Sequence, residues 1–542
     1  MKKVLSTLLI LALLCGMCAC GKDESDERYL FYPLSAEPQT LDPQVCGDAD
    51  TAVAVSQMFE GLVRMDEDGS IRPGVSQRLE VSPDGLVYTF HLRENARWHI
   101  IKNFKNIYGE GCEKNLELPV TAEDFVFAFQ RIFSPHTASP GADTLYAIRN
   151  AKAVHAGEMS VLELGVKAED AQTFVITLER PSADFLTLLA QPICAPCNRF
   201  FFESTKGKYG LGLAYTLCNG PFSLYRWMLG TSITLKRNPD YAGEFRVIPG
   251  GLSFLFNSDK STYIQKTVED RYDAAPVERE FAADIPADLQ CVEVANTVWG
   301  IAFQCTDPLL GNAYLRMALC SAFSAETLGL EGVTPAAGML PAACRVGGEG
   351  YRALAGNAEL PEESAARAQL FMQFALRDLR VSSIAFTVLC LQEHETAMRR
   401  VIQSWQKIFG VTVSAKTKVC TQSELLDARN SGAFQAAFLP IRAPYTSAVQ
   451  CLYSFITDSG VRLGLEESTA EYSALISAAL TAPSASAAAS CCLQAESYFI
   501  RTGVFYPVYE DVSRFVIRSR VEGVRITPCG ESISFISARK TG

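Results

Sequence analysis

What this sequence lacks narrows its function first. It has five histidines, scattered along the chain, and its single His-Glu pair, His394-Glu395, has no second histidine to complete an H-E-x-x-H zinc motif. It has no G-x-S-x-G turn to present a serine nucleophile and no G-x-x-x-x-G-K-[ST] loop to cradle phosphates. Carboxylates are plentiful, but no spacing pairs two of them for acid–base work. A catalytic centre therefore finds no support, and the chain reads as a binding protein rather than an enzyme, with no cofactor and no metal. Basic excess is also missing. Lys and Arg number 49 against 60 Asp and Glu, a net charge of −11, which argues against a nucleic-acid partner. Beyond the N-terminus no apolar run approaches the roughly 18 residues that a membrane-spanning helix needs.

Cysteine is the exception to this scarcity, with 18 in 542 residues. Three lie in the N-terminal segment. The rest are odd in number, so at least one stays unpaired even if the others bridge. A chain of this length holds a core without covalent staples. Most of these cysteines are therefore expected to be small buried apolar residues, a habit that suits a host living without oxygen. Cys194 and Cys197 have C-x-x-C spacing, but no second pair or histidine cluster lies near them. Cys491-Cys492 makes no stronger case.

The N-terminus is a targeting segment rather than fold. Lys2-Lys3 is a short basic region, and residues 4–14 form an apolar run of signal-peptide length. Met17-Cys18-Ala19-Cys20 resembles a bacterial lipobox, in which a small residue precedes the cysteine that is diacylated. Cys20, after Ala19 and before a polar tether at 21–27, is the candidate lipid anchor; Cys18, after Met17, is the second choice, and a plain secretion signal is the alternative. The expectation is a body held outside the cytoplasm, on the face of the cell membrane, through its N-terminal lipid.

The body alternates strand and helix patterns. Residues 219–241 read as a hairpin: a turn at Asn219-Gly220-Pro221, apolar bulk at Phe222, Leu224 and Trp227, a turn at Leu229-Gly230-Thr231, and a return over 232–237. Asn238-Pro239 stops it, because proline cannot donate to a ladder. Residues 28–34 form a first strand, followed by a loop in which Pro38 and Pro43 forbid helix. A helix is expected over 52–63, a meander over 73–92 and a helix from Thr121, with acids in its first turn. His99, beside Trp98 and with no partner carboxylate in view, reads as structural. Further on, 384–391 is a buried strand, 393–409 an amphipathic helix with Trp405 on its core face, and 410–413 a returning strand, a βαβ-like unit. Residues 421–430 read as a helix, 433–439 as a strand, 440–450 as a loop, and the Ala/Ser-rich stretch 478–490 as a surface helix and turn.

Several of these segments closely resemble the family 5 extracytoplasmic solute-binding proteins, the oligopeptide, dipeptide and nickel-type receptors of ABC importers. The resembling runs are Glu37-Pro38-Gln39-Thr40-Leu41-Asp42-Pro43, Phe59-Glu60-Gly61-Leu62, Asn219-Gly220-Pro221-Phe222 with Trp227, and Arg237-Asn238-Pro239-Asp240-Tyr241. Gly338-Met339-Leu340-Pro341 and Val504-Phe505-Tyr506-Pro507 continue it, and the stretch from 121 to 154 resembles the oligopeptide-binding branch. In all, the likeness runs from Tyr29 to Val524.

The resemblance implies an α/β, two-lobed periplasmic-binding-protein type II fold with an extra inserted subdomain. After a signal at 1–20, lobe I would combine 28–61, 181–299 and 496–542; the insert would span 62–180 and lobe II 300–495. It implies a monomer that binds a peptide or peptide-like small solute and delivers it to ABC permease subunits; a ligand-sensing lipoprotein of the same fold is the alternative. The loop at 45–51 would face the ligand, making Asp48 and Asp50 candidate ligand carboxylates, with Tyr146 and Trp299 as aromatic candidates. Family peptide receptors hold a peptide's amino terminus with an aspartate in a Trp-x-Ala-Asp-Tyr loop. The matching run here is Ile441-Arg442-Ala443-Pro444-Tyr445, and an upstream tryptophan becomes Gln422. Arg442, Tyr445 and Gln422 are therefore candidates, while Pro444 removes the ammonium anchor, since a buried ammonium needs a charge partner.

Overall fold

A computed structural model describes residues 28–541, apart from 100–118, 183, 331–332, 443–445, 457–460, 466–469 and 528–532. The opening strand β1 (Tyr29–Leu34) leads through a proline-bearing loop into α1 (Ala49–Met58). A short hairpin follows, β2 (Val63–Met65) and β3 (Ile71–Pro73), and then β4 (Ser76–Val81) and β5 (Val87–Leu92). Helix α2 (Ala122–Phe133) starts on a capping box in which Thr121 and Asp124 satisfy each other's backbone N–H groups. After β6 (Val166–Ala168), β7 (Thr173–Thr177) and α3 (Phe185–Leu189) comes the expected hairpin, β8 (Phe222–Met228) and β9 (Ser232–Arg237), and then β10 (Gly251–Phe256).

The second half begins with β11 (Ala274–Val277) and the long β12 (Gln290–Phe303). It continues through α4 (Ala313–Cys320) and the small hairpin of β13 (Arg345–Val346) and β14 (Glu349–Gly350). Helix α5 (Ala365–Leu379), β15 (Ile384–Leu391), α6 (Glu395–Phe409) and β16 (Val413–Cys420) follow. The chain then forms α7 (Gln422–Ser431), β17 (Ala436–Arg442), α8 (Ala448–Tyr453), α9 (Ala470–Leu480), α10 (Ala485–Arg501) and the long β18 (Phe505–Ile517).

Three sheets organise these elements. The first has the order β1-β10-β9-β8, with β1 parallel to β10 and the other pairs antiparallel. The second, β4-β5-β7-β6, is antiparallel, and its apolar face packs on α2, where Phe125 and Phe129 meet Phe174. The largest runs β11-β18-β12-β17-β15-β16. There β15 lies parallel to both β16 and β17, the topology a helical crossover such as α6 produces.

The apolar residues fall into two large clusters and one small one. The first and second sheets share one core, from Leu30 to Phe254 with tail residues such as Phe535. The largest sheet and helices α4 to α10 build the other. The small cluster joins Tyr263, Tyr272, Ala275, Val277 and Val516. The long strands pass between the large cores. Val298–Phe303 of β12 and Phe505–Tyr509 of β18 lie in the second core, whereas Phe515 and Ile517 lie in the first. The architecture is two lobes connected by long strands.

Some boundaries differ from the sequence pattern. Helix α1 starts at Ala49, because Asp48 caps it, and stops at Met58, where Phe59 turns extended. The strand expected at 410–413 begins only at Val413 and runs to Cys420; residues 410–412 form a tight turn with Gly410 at φ +60. Of the loop expected over 440–450, residues 440–442 end β17 and 448–450 begin α8, while 443–445 lie outside the described residues. Residues 478–490 hold the helix and turn expected there, most of them exposed or half-exposed. They end α9 and begin α10, and Ala488 and Ala489 are fully buried, because small side chains let these helices pack closely.

Of the cysteines among the described residues, 13 are unpaired and nine of these are buried. Cys194 and Cys197 are among the buried ones, and burial raises both thiols, Cys197 to about 12. Neither is poised as a thiolate nucleophile or ligand.

Candidate functional site

The motifs that carry the resemblance turn out to hold one another. Glu37, in the opening loop, accepts hydrogen bonds from the Trp227 indole N–H at 2.7 Å and from Gly230 N–H at 2.8 Å, at the turn of the central hairpin. Asp42 pairs with Arg131 of α2, and the Arg131 guanidinium lies 4.1 Å from the Phe202 ring centroid. Trp98 donates to Asp124 at 3.1 Å. His99, expected to lack a carboxylate partner, has one: its Nδ1 lies 2.9 Å from Asp240, which the hairpin's closing turn brings from 141 residues away. These residues are girders of the first lobe and its insert.

The sequence-predicted ligand residues are divided by the fold. Asp48 accepts from Thr51 N–H at 2.8 Å and Thr51 Oγ1 at 2.7 Å as the cap of α1. Asp50 accepts from Ser35 N–H, Ser35 Oγ and Ala36 N–H at 2.7, 2.6 and 3.1 Å, which ties the loop after β1 to the helix. Both carboxylates are thus engaged locally. Tyr146 packs beside α2; its hydroxyl is 2.7 Å from His155 Nδ1 and its ring stacks on Phe133. Gln422 is exposed at the first turn of α7. Arg442, exposed at the end of β17, pairs in register with Thr297, two residues from Trp299 on β12, so the sheet brings Trp299 and Arg442 to the same end. Cys20, Pro444 and Tyr445 lie outside the described residues.

Trp299 is 7% exposed and stands in an aromatic cluster rather than free in a cleft. Its ring lies 4.5 Å from His394, 5.6 Å from Phe438 and 6.3 Å from Tyr509. The His394 Nε2 is 3.0 Å from the Tyr509 hydroxyl, and Arg279 covers the Tyr509 ring at 4.6 Å. Glu393 sits beside this group; desolvation and the facing Glu280 raise its pKa, while Arg279 opposes. This aromatic and charged cluster lies where β12 and β18 run together. Sequence reasoning passed over His394, Glu393 and Arg279. A histidine just before a buried amphipathic helix was the available signal.

Desolvation, reinforced by Arg279, lowers His394 to about 4. The folded protein therefore holds this histidine neutral. Unfolding restores a value near 6.5, so the group favours the folded state above that pH, and the contribution fades as pH falls toward 4. Linkage puts it on the order of 3 kcal/mol. His394→Phe is expected to flatten the acid limb of a thermal-melting profile between pH 6.5 and 4. An unchanged limb would show that His394 is not the group responsible.

Among the described residues, no group of three or more His, Cys, Asp or Glu is placed to hold a metal. No helix among them is long and apolar enough to cross a membrane.

Two α/β lobes, an added subdomain and long connecting strands define a two-lobed solute-binding fold of the type II periplasmic class. The family model for bacterial extracellular solute-binding proteins, family 5, matches residues 70–462, and the chain belongs to that family. It is 28% identical over 501 residues to the probable deoxycholate-binding periplasmic protein YgiS of Escherichia coli, covering 89% of this chain and 88% of that one. It is 24% identical over 559 residues to the oligopeptide-binding protein OppA of Bacillus subtilis, covering 97% of both. Among solved structures, Listeria monocytogenes OppA bound to peptide superposes with a TM-score of 0.74 at 23% identity, covering 95% of this chain and 99% of that one. The substrate-binding domain of a Bacillus anthracis oligopeptide ABC transporter gives 0.73 at 23% identity, with the same coverage. These superpositions establish the fold.

Proposed function

We propose that this chain is an extracytoplasmic receptor that closes its two lobes around a peptide or peptide-like solute and delivers it to the permease subunits of an ABC importer. The observation that carries this reading is the pair of separately packed cores connected by β12 and β18, the arrangement that hinge closure around a ligand requires. The names of the OppA-type relatives support a peptide as the solute. The lipobox-like run before Cys20 supports a lipid anchor on the outer face of the cell membrane. The receptor acts as a monomer and catalyses nothing.

The solute's amino terminus is not held as in the better-known peptide receptors. Pro444 stands where they place an aspartate, and Asp48 and Asp50 are already engaged, one as the cap of α1 and the other with the loop after β1. Arg442 favours an anionic group at that end. Native mass spectrometry of the mature protein, before and after mild denaturation, tests the reading. Release of a mixture of short peptides is the expected result. A single steroid-like mass, or a protein that stays empty in a peptide pool, would overturn the peptide assignment.

A further inference from the structure

Asp184 is a buried carboxylate whose hydrogen-bond donors both come from the other lobe. It stands immediately before α3, and its neighbour Phe185 is fully buried in the first core. Its Oδ1 accepts from Gly347 N–H at 2.9 Å, and its Oδ2 accepts from the Ser447 hydroxyl. Gly347 and Gly348, at φ +58 and +85, form the two-residue turn between β13 and β14. Two successive positive φ angles are what a type I′ hairpin requires and what glycine allows. Ser447 caps α8, accepting from Gln450 N–H at 3.0 Å. Arg345 and Ser447 form a parallel bridge, so the two donors are fixed relative to each other. The flanking residues Val346 and Ala448 lie fully buried in the second core. Asp184 itself is 3% exposed.

Two contacts flank this one. The Arg180 guanidinium lies 5.9 Å from the Tyr453 ring centroid. Gly69, in the turn between β2 and β3, lies so close to Arg345 that an added Cβ would stand 2.6 Å from its Nε. Among the described residues, these contacts sit side by side on the second lobe, and Asp184 is the buried one of them.

Resting on the reading of this protein as a two-lobed receptor, we propose that Asp184 is the clasp of the closed state, a positioning residue that joins the lobes through Gly347 and Ser447 and slows solute release. An isolated buried carboxylate is costly unless its hydrogen bonds are made, so the contact is worth keeping only when the lobes meet in this register. Among the described residues, the Cys492 thiol on α10 faces it from a packed element and is itself raised by burial. No cation among the groups acting on Asp184 compensates it, and desolvation raises its pKa. The closed state therefore holds a proton more tightly than an open one, and falling pH favours closure.

The test is small-angle X-ray scattering of the solute-free protein, with the off-rate of a labelled short synthetic peptide measured alongside. Asp184→Ala is expected to shift the population from closed to open and to raise the off-rate about tenfold or more, the scale set by losing two buried hydrogen bonds. Asp184→Asn keeps an acceptor for Gly347 and should remain closed, but with the pH dependence of closure lost. Ser447→Ala, made on the opposite lobe, should open the protein in part, which keeps the proposal falsifiable if Asp184→Ala does not fold. Scattering and hydrogen exchange at Gly347 identical to wild type in both alanine variants would overturn the clasp. The scattering readout needs no solute, so an error in the peptide assignment would leave it intact.

Discussion

Glu496→Ala is expected to be among the most destabilising single substitutions in the second lobe, at about 3–5 kcal/mol by chemical denaturation. Glu496 is completely buried on α10 and accepts four hydrogen bonds. These come from Leu340 N–H at 3.0 Å, the Tyr351 hydroxyl at 2.8 Å, and the two terminal nitrogens of Arg352 at 2.8 and 2.6 Å. Removing the carboxylate leaves a largely buried guanidinium without its counter-charge and two further donors unmet. Desolvation of those orphans, more than the lost attraction, sets the cost. The same reasoning gives a second expectation: Glu496→Leu combined with Arg352→Met should recover the part due to the buried guanidinium, with the Leu340 N–H and Tyr351 hydroxyl still unmet. A loss below about 1 kcal/mol for Glu496→Ala would show that water reaches the site and that the pair is effectively exposed.

This network explains a segment that was legible only as a resemblance. Gly338, in the Gly-Met-Leu-Pro run, lies at φ +159, and a Cβ there would stand 2.3 Å from Glu496 Oε1. The motif needs glycine because a carboxylate 158 residues later fills the space. Local pattern served well where local physics decides structure. The strand at 384–391 reads as a buried apolar run, and β15 occupies those same residues, its last four all buried. The hairpin at 219–241 carries its own turn residues, and β8 and β9 form it.

Local pattern failed where long-range contacts decide. Nothing near Asp184 in sequence marks it as a lobe-to-lobe contact, because Gly347 and Ser447 lie 163 and 263 residues away. The local contacts of Asp48, which caps α1, and of Asp50, which ties the helix to the loop after β1, appear only once α1 has its true start. Trp299 was legible as an aromatic at a strand end, but its packing against His394 and Tyr509 comes from three separate segments.

The other large effect is expected at the central hairpin, from Gly220→Ala. Gly220 N–H donates to Met58 O at 2.8 Å, so two backbones run in direct contact where α1 ends. An added Cβ would lie 2.6 Å from both the carbonyl carbon and oxygen of Met58. A flexible side chain could yield to such a contact; this neighbour is backbone, and it is held from both sides. Asn219 accepts from Glu60 N–H at 3.1 Å and donates to Glu60 O at 2.8 Å. Asn238 donates to Gly220 O at 2.8 Å, and the Tyr241 hydroxyl donates to Glu60 at 2.7 Å. The methyl group must therefore strain or break several buried hydrogen bonds together. The expected cost is on the order of 3 kcal/mol, at the upper end of overpacking. Asn219→Ala, which removes both bonds to Glu60, should cost about 2–3 kcal/mol. Both are read from urea midpoints with the slope unchanged. Solute affinity of the folded fraction should stay at the wild-type value, because the hairpin braces the first lobe and none of these contacts reaches the second. A variant that loses affinity while keeping its midpoint would move the hairpin from scaffold to binding surface.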